Sequence, residues 1–191
     1  MKKSIIFLSL AALAAILIGF KITSPPAGTG STPWAQAGQQ TQHSRQLIYV
    51  YPDSGPHAEA YRAYFANMDD RRRFYTIVAV PASAADTIAS SAPLFLLGRP
   101  QSNPYLQKLL AKLPLTFSKN SFTFNATTYR QKDEIIILSL PHPDQASRWL
   151  TIVSGNDDRH IADFLQRNGR RMRRYGDYTI VRANSIIAYG F

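Results

Sequence analysis

Residues Leu94–Asn103 read LFLLGRPQSN, and residues Leu150–Asp158 read LTIVSGNDD. Each is a short apolar run stopped by a glycine and followed by a polar loop. Runs of this kind describe strands buried on both faces. Asn103 stands before Pro104, which pairs an N-cap side chain with proline at the first helical position. In the second segment Asn156 or Asp157 takes the capping role. A strand, glycine, polar loop and helix, met twice in one chain, predict a parallel sheet with helical connections. In such sheets the loops gather at the carboxyl ends of the strands, where ligands bind. Helix N-termini there present free N–H groups. Position therefore makes Gly98, Arg99, Ser102, Asn103, Gly155, Asn156 and Asp157 the candidate ligand- or partner-binding residues. Arg99, beside a helix N-terminus, is the candidate to hold a carboxylate or phosphate.

The same alternation extends outward. Gln46–Tyr51 is a β-rich apolar run closed by Pro52-Asp53-Ser54-Gly55. In His57–Arg73, residues Ala58, Tyr61, Phe65 and Met68 fall at helical spacing, and Arg71, Arg72 and Arg73 suit a helix C-terminus. Phe74–Val80 reads as a strand and Ala82–Ser91 as a short helix. After Pro104, Leu106, Leu109, Leu110 and Leu113 share one side of a helix that Pro114 ends. Downstream, Ser121–Asn125 and Thr127–Arg130 read as short antiparallel pieces. Ile135–Leu140 and Trp149–Val153 read as buried strands separated by a Pro141-His142-Pro143-Asp144 loop. A helix with Ile161, Phe164 and Leu165 ends at Gly169. Tyr178–Val181 and Ser185–Tyr189 flank an Ala183-Asn184 turn, a hairpin that closes the domain at Phe191. The expected fold is a three-layer α/β domain with a mixed sheet, Rossmann- or flavodoxin-like, over residues 45–191.

Ahead of it, Lys2 and Lys3 precede a mostly apolar run, Ser4–Phe20. As a helix that run reaches about 25 Å at ~1.5 Å per residue, a little short of a hydrocarbon core. Residues 1–22 are a signal peptide or a membrane anchor, and both stay open; Ala35-Gln36-Ala37 offers a cleavage pattern. Residues 23–44, rich in Pro, Gly, Ser, Thr and Gln, read as a flexible spacer. The chain is thus expected in the bacterial periplasm or cell envelope, touching membrane only through this segment.

Charge and cysteine content fit that address. The 191 residues carry a net +10, from 22 basic and 12 acidic side chains. Three of the basic residues and none of the acidic ones precede Gly38, so the rest is still basic, at +7. An exported protein rarely meets nucleic acid, so an anionic envelope surface or an acidic partner is the better match. With no cysteine there is no disulfide framework, thiolate zinc site or thiol nucleophile.

No catalytic motif stands out. Dinucleotide, P-loop, zincin and nucleophile-elbow signatures are all absent, and neither a metal nor a cofactor is expected. Asp53, Ser54 and His57 follow the first strand and sketch a nucleophile and base. With His142, His160 and Asp157 they are the material for a small exported hydrolase, the alternative reading. His142, between two prolines, is expected in a surface loop. Arg167, Arg170, Arg171, Arg173 and Arg174 form the densest charge cluster. It suits a helix end, or contact with anionic lipid, an envelope polymer or an acidic partner.

Several of these stretches together resemble a family. Leu97-Gly98-Arg99-Pro100-Gln101-Ser102-Asn103, Leu113-Pro114, Phe122–Tyr129, Leu140-Pro141-His142-Pro143 and Arg148-Trp149-Leu150 are followed by Ser154-Gly155-Asn156 and Gly176-Asp177-Tyr178, with Tyr189-Gly190-Phe191 at the end. The pattern is similar to the Rossmann-like accessory domain of bacterial secreted hydrolases, found beside M1-type metallopeptidase and α/β-hydrolase catalytic domains. This chain departs from it at Pro141-His142-Pro143-Asp144 and has no attached catalytic domain. The resemblance spans Gln46 to Phe191 and implies a non-catalytic module. Such an exported module is expected to act through contact with an envelope protein partner or hydrolase.

Overall fold

A computed structural model describes residues 33–68, 75–88, 91–169 and 176–191. Helix α1 (Pro33–Ser44) is followed by β1 (Gln46–Tyr51), α2 (Ala58–Ala66) and β2 (Thr76–Pro81). A 3-10 helix (Ala82–Thr87) leads to β3 (Leu94–Leu97) and then α3 (Pro104–Leu109). Three short strands come next: β4 (Leu115–Ser118), β5 (Ser121–Phe124) and β6 (Thr127–Tyr129). The chain continues through β7 (Ile135–His142), β8 (Gln145–Gly155), α4 (Asp158–Asn168), β9 (Tyr178–Arg182) and β10 (Ser185–Gly190).

The main sheet is mixed, with seven strands in the order β10-β9-β7-β8-β3-β1-β2. Strands β2, β1, β3 and β8 are parallel neighbours. β7 runs antiparallel to both β8 and β9, and β9–β10 form the C-terminal hairpin. Ala183 and Asn184 both have positive φ, 47° and 64°, as a two-residue type I′ connection needs. Strands β4, β5 and β6 form a separate antiparallel sheet.

The uninterrupted apolar runs explain this architecture. Alternate residues of each central strand point to opposite faces, and both faces are covered. Ile48, Val50, Leu94, Leu96, Leu150 and Ile152 pack on one side with Ala82, Ala85, Leu106, Leu109, Leu115 and Phe122. Leu47, Tyr49, Phe95, Leu97 and Val153 pack on the other with Tyr61, Tyr64, Ile161, Phe164 and Leu165 of α2 and α4. Each fully buried Leu or Ile contributes roughly 2 kcal/mol of transfer free energy.

β1 and β3 fall where the residue pattern places them, as do both strands of the terminal hairpin to within a residue. Three local expectations need correction. The second half of the flexible spacer is helix α1, with Pro33 at its first position and Ala and Gln, good helix formers, within it. Gln40 ties that helix down: its Nε2 donates to the Ser147 carbonyl at 2.5 Å, and Trp149 N–H donates to its Oε1 at 2.9 Å. Within β8, β3 pairs with Leu150–Val153, and the Gln40 amide serves two backbone groups ahead of that stretch. The cleavage pattern Ala35-Gln36-Ala37 thus lies within α1. Leu115–Ser118 forms a strand that the residue pattern left unassigned; Phe122 stacks on Tyr129 with ring centroids 4.9 Å apart across the neighbouring pair. His142 belongs to β7 and is buried, leaving only Pro143 and Asp144 as the turn. Residues 1–32 lie outside the described residues, and so do Arg71, Arg72, Arg73 and Phe74. Among the described residues no helix is long and apolar enough to cross a membrane.

Candidate functional site

The two glycine-marked loops do meet at the carboxyl ends of the parallel strands. What they meet around is a carboxylate, Asp158, in the first turn of α4. Its Oδ1 accepts the Tyr61 hydroxyl at 3.1 Å, the Arg99 backbone N–H at 3.0 Å and the Ser102 hydroxyl at 3.0 Å. One carboxylate therefore joins α2, the loop after β3 and α4. Burial first, then the adjacent Asp158 charge, pushes the Tyr61 phenol well above its ordinary range, so it stays a donor. Gly98 makes the approach possible. Its φ is +90°, and a Cβ there would stand 2.3 Å from Pro52 Cγ and 3.1 Å from Asp158 Oδ1.

The other candidate residues are also engaged from within. Asn103 Oδ1 accepts from Leu106 N–H at 3.0 Å, capping α3, while its Nδ2 donates to the Leu97 carbonyl at 2.8 Å. Arg99 Nη2 donates to the Lys119 carbonyl at 2.7 Å, while its Nε is buried without a hydrogen-bond partner. Gly155 ends β8 where a Cβ would lie 2.4 Å from the Glu134 carbonyl. Asn156 Nδ2 donates to the carbonyls of Tyr129 and Gln131, at 3.1 and 2.8 Å. Asp157 caps α4 by accepting from Arg159 and His160 N–H, at 2.9 and 3.3 Å. Burial pushes the Asp157 carboxyl up, but the hydrogen bonds from His160 and Arg159 outweigh it and hold the group below its usual range. An incoming anion would find the Arg99 backbone N–H and the Ser102 hydroxyl already held by Asp158 and the helix start already capped by Asp157.

Neither a protein-family model nor a curated protein sequence matches this chain. The reading of the site rests on its geometry.

That geometry sets His142 apart from the other side chains of the hydrolase alternative: Asp53, Ser54 and His57 follow β1, and Asp157 and His160 follow β8, all at the carboxyl ends of the parallel strands. Asp53 is occupied by Ser83, through both its backbone N–H and its hydroxyl. His57 is the residue before α2 and makes no side-chain cap bond. His160 Nδ1 faces Asp157 Oδ1 at 3.3 Å. His142 sits at the other end of the sheet, at the close of β7. Among the described residues no group of three or more His, Asp or Glu is placed to hold a metal ion.

The His142 end holds a second polar cluster, missed by reading the residues in order. His142 is 3 % exposed and Arg148 1 %. His142 Nδ1 accepts from Asp144 N–H at 3.2 Å, and its Nε2 lies 3.4 Å from the Tyr105 hydroxyl. Arg148 Nε donates to the Ala92 carbonyl at 2.7 Å; its Nη2 is buried without a partner. An arginine inside an otherwise apolar strand run was the available signal. Glu134 is a third buried titratable side chain, ion-paired to Arg182 and accepting Gln131 N–H at 2.7 Å. Of the arginine cluster, Arg167 is exposed in the last turn of α4; Arg170, Arg171, Arg173 and Arg174 lie outside the described residues.

Proposed function

We propose that this chain is an exported, envelope-associated module without catalytic activity, which works by binding another protein. Its fold is read as three-layered and flavodoxin-like; the order β2-β1-β3-β8 of the parallel strands and the packing on both sheet faces support this. The basic, apolar N-terminal segment supports export to the periplasm or envelope, cleaved or anchored. The self-occupied loops around Asp158 support a structural role for the edge where an α/β enzyme would hold substrate.

The observation that carries the reading is the edge strand β10. Among the described residues it pairs on one side only, with β9. It contains no charged residue and no proline, the usual guards of an exposed edge. Ile186 and Ile187 are exposed, and Tyr189 and Phe191 are 58 % and 69 % exposed. A sheet edge with no second strand paired to it among the described residues, beside exposed apolar side chains, is what strand addition by a partner uses.

A photo-crosslinker in place of Tyr189 in the full-length exported chain tests this. A discrete adduct with an envelope protein is expected, and it should vanish when Ile187→Lys is added. A chain that yields no adduct, or that turns over a substrate through the histidines, overturns the reading.

A further inference from the structure

A groove of about 340 Å³ lies between α4 and β9, apart from the edge strand and from the loops around Asp158. That volume is within the range of small-ligand sites, roughly 300–1,000 Å³. Its floor is apolar, made by the buried side chains of Ile135, Phe164 and Val181. Its α4 wall carries His160, Asp163 and Arg167, which share one face of the helix. The opposite wall is Asp133 with the β9–β10 turn.

The turn wall is held from both ends. Ala183 N–H donates to Asp133 Oδ2 at 3.1 Å, and Asn168 Nδ2 donates to Asn184 Oδ1 at 3.3 Å. The groove is therefore formed before anything enters it. The α4 wall is different. Asp163 and Arg167 are one helical turn apart, yet neither makes an ion pair or hydrogen bond among the described residues. His160 Nδ1 lies 3.3 Å from Asp157 Oδ1. An apolar floor is thus flanked by a carboxylate and a guanidinium, each available to an outside charge.

We propose that this groove binds short zwitterionic peptides with apolar side chains. The peptide ammonium meets Asp163, with Asp133 on the facing wall. The peptide carboxylate meets the Arg167 guanidinium, and the side chains lie on Ile135, Phe164 and Val181. Spacing selects the length. Residues four apart on a helix have Cβ atoms about 5–6 Å apart. The nitrogen and carboxyl carbon of a free amino acid are only about 2.5 Å apart, across two bonds, whereas an extended dipeptide spans about 7 Å.

Calorimetric titration of the full chain tests this with four probes: the dipeptide Leu-Phe, its N-acetyl form, its C-terminal amide and free leucine. Leu-Phe should bind saturably. Each capped form and free leucine should bind about tenfold more weakly, as expected for loss of one charge-assisted contact. Asp163→Asn should erase the difference between Leu-Phe and its N-acetyl form. Arg167→Gln should erase the difference between Leu-Phe and its amide. Asp163 is half-buried and Arg167 exposed, and an unchanged thermal melt verifies that each variant is folded. The proposal is overturned if Leu-Phe shows no saturation up to about 10 mM. It is equally overturned if the capped peptides bind as tightly as the free one, or if folded variants bind all four probes as the native chain does.

Discussion

Asp158 carries more of the tertiary structure than any neighbour it touches. Replacing it by alanine would leave the Arg99 N–H without its acceptor, and the Tyr61 and Ser102 hydroxyls with only the backbone carbonyls of Asp158 and Arg99, at 3.3 and 3.0 Å. An unsatisfied buried donor costs about 1–3 kcal/mol. Asp158→Ala is therefore expected to lower unfolding free energy in urea by about 2 kcal/mol. Asp158→Asn keeps an acceptor oxygen in place and should lose about 1 kcal/mol. Equal losses for both variants would mean that the charge, and not the acceptor geometry, holds the three segments. The adjacent Asp157 is a cap that residue order reveals, because the N–H groups it accepts lie two and three residues ahead. Asp158 was not legible in the same way. Its partners are 97, 59 and 56 residues away, and nothing local marks which of two consecutive aspartates turns inward.

At the scale of elements, the β7–β8 hairpin shows how a short polar sequence is misjudged from composition. Pro141-His142-Pro143-Asp144 reads as a loop, but β7 continues through His142 and the ring is buried against Tyr105 and Arg148. Burial, and next the Arg148 charge, lower the His142 pKa below its ordinary 6.5; the Lys112 charge works the same way, and Asp144 opposes it. In the native ring Nδ1 is an acceptor, so protonation also breaks the Asp144 N–H bond. The sign follows from linkage. The unfolded chain takes up the proton more readily, so this contribution to stability is fully present above pH 6.5 and is lost as pH falls below it, toward the lowered native value. Urea midpoints measured from pH 7.5 down to pH 5 should fall, and His142→Gln should flatten that slope. A slope unchanged in the variant would place the titration elsewhere. Helix α1 is the matching case among helices. Its Gln-rich sequence resembles a linker, and only the backbone of Ser147 and Trp149, more than a hundred residues on, gives Gln40 something to hold.

For the whole molecule, strand order sets which parts open first. Among the described residues β9, β7, β8, β3 and β1 each have a strand on both sides, while β10 and β2 have one neighbour each. Hydrogen exchange should therefore be slowest in the buried β1, β3 and β8 and fastest, among strands of the main sheet, in the edge strands β2 and β10. Protection of β10 equal to that of β3 in dilute protein would mean that its outer edge is already covered. Much of this architecture was written locally. Apolar runs ended by glycine marked β1, β3 and the core of β8, Asn103-Pro104 marked the start of α3, and Ala183-Asn184 marked the last turn. These signals act within a few residues, through backbone dihedrals and neighbouring hydrogen bonds, so the sequence by itself determined that the chain alternates strand and helix and where most elements begin. It could not say that β7 inserts between β8 and β9, that Asp158 fills the cradle its own loops build, or that Asp133 and Asp163 face each other across a groove. Those outcomes depend on burying both faces of one sheet at once, and only the tertiary structure brings together side chains whose partners lie fifty to a hundred residues away.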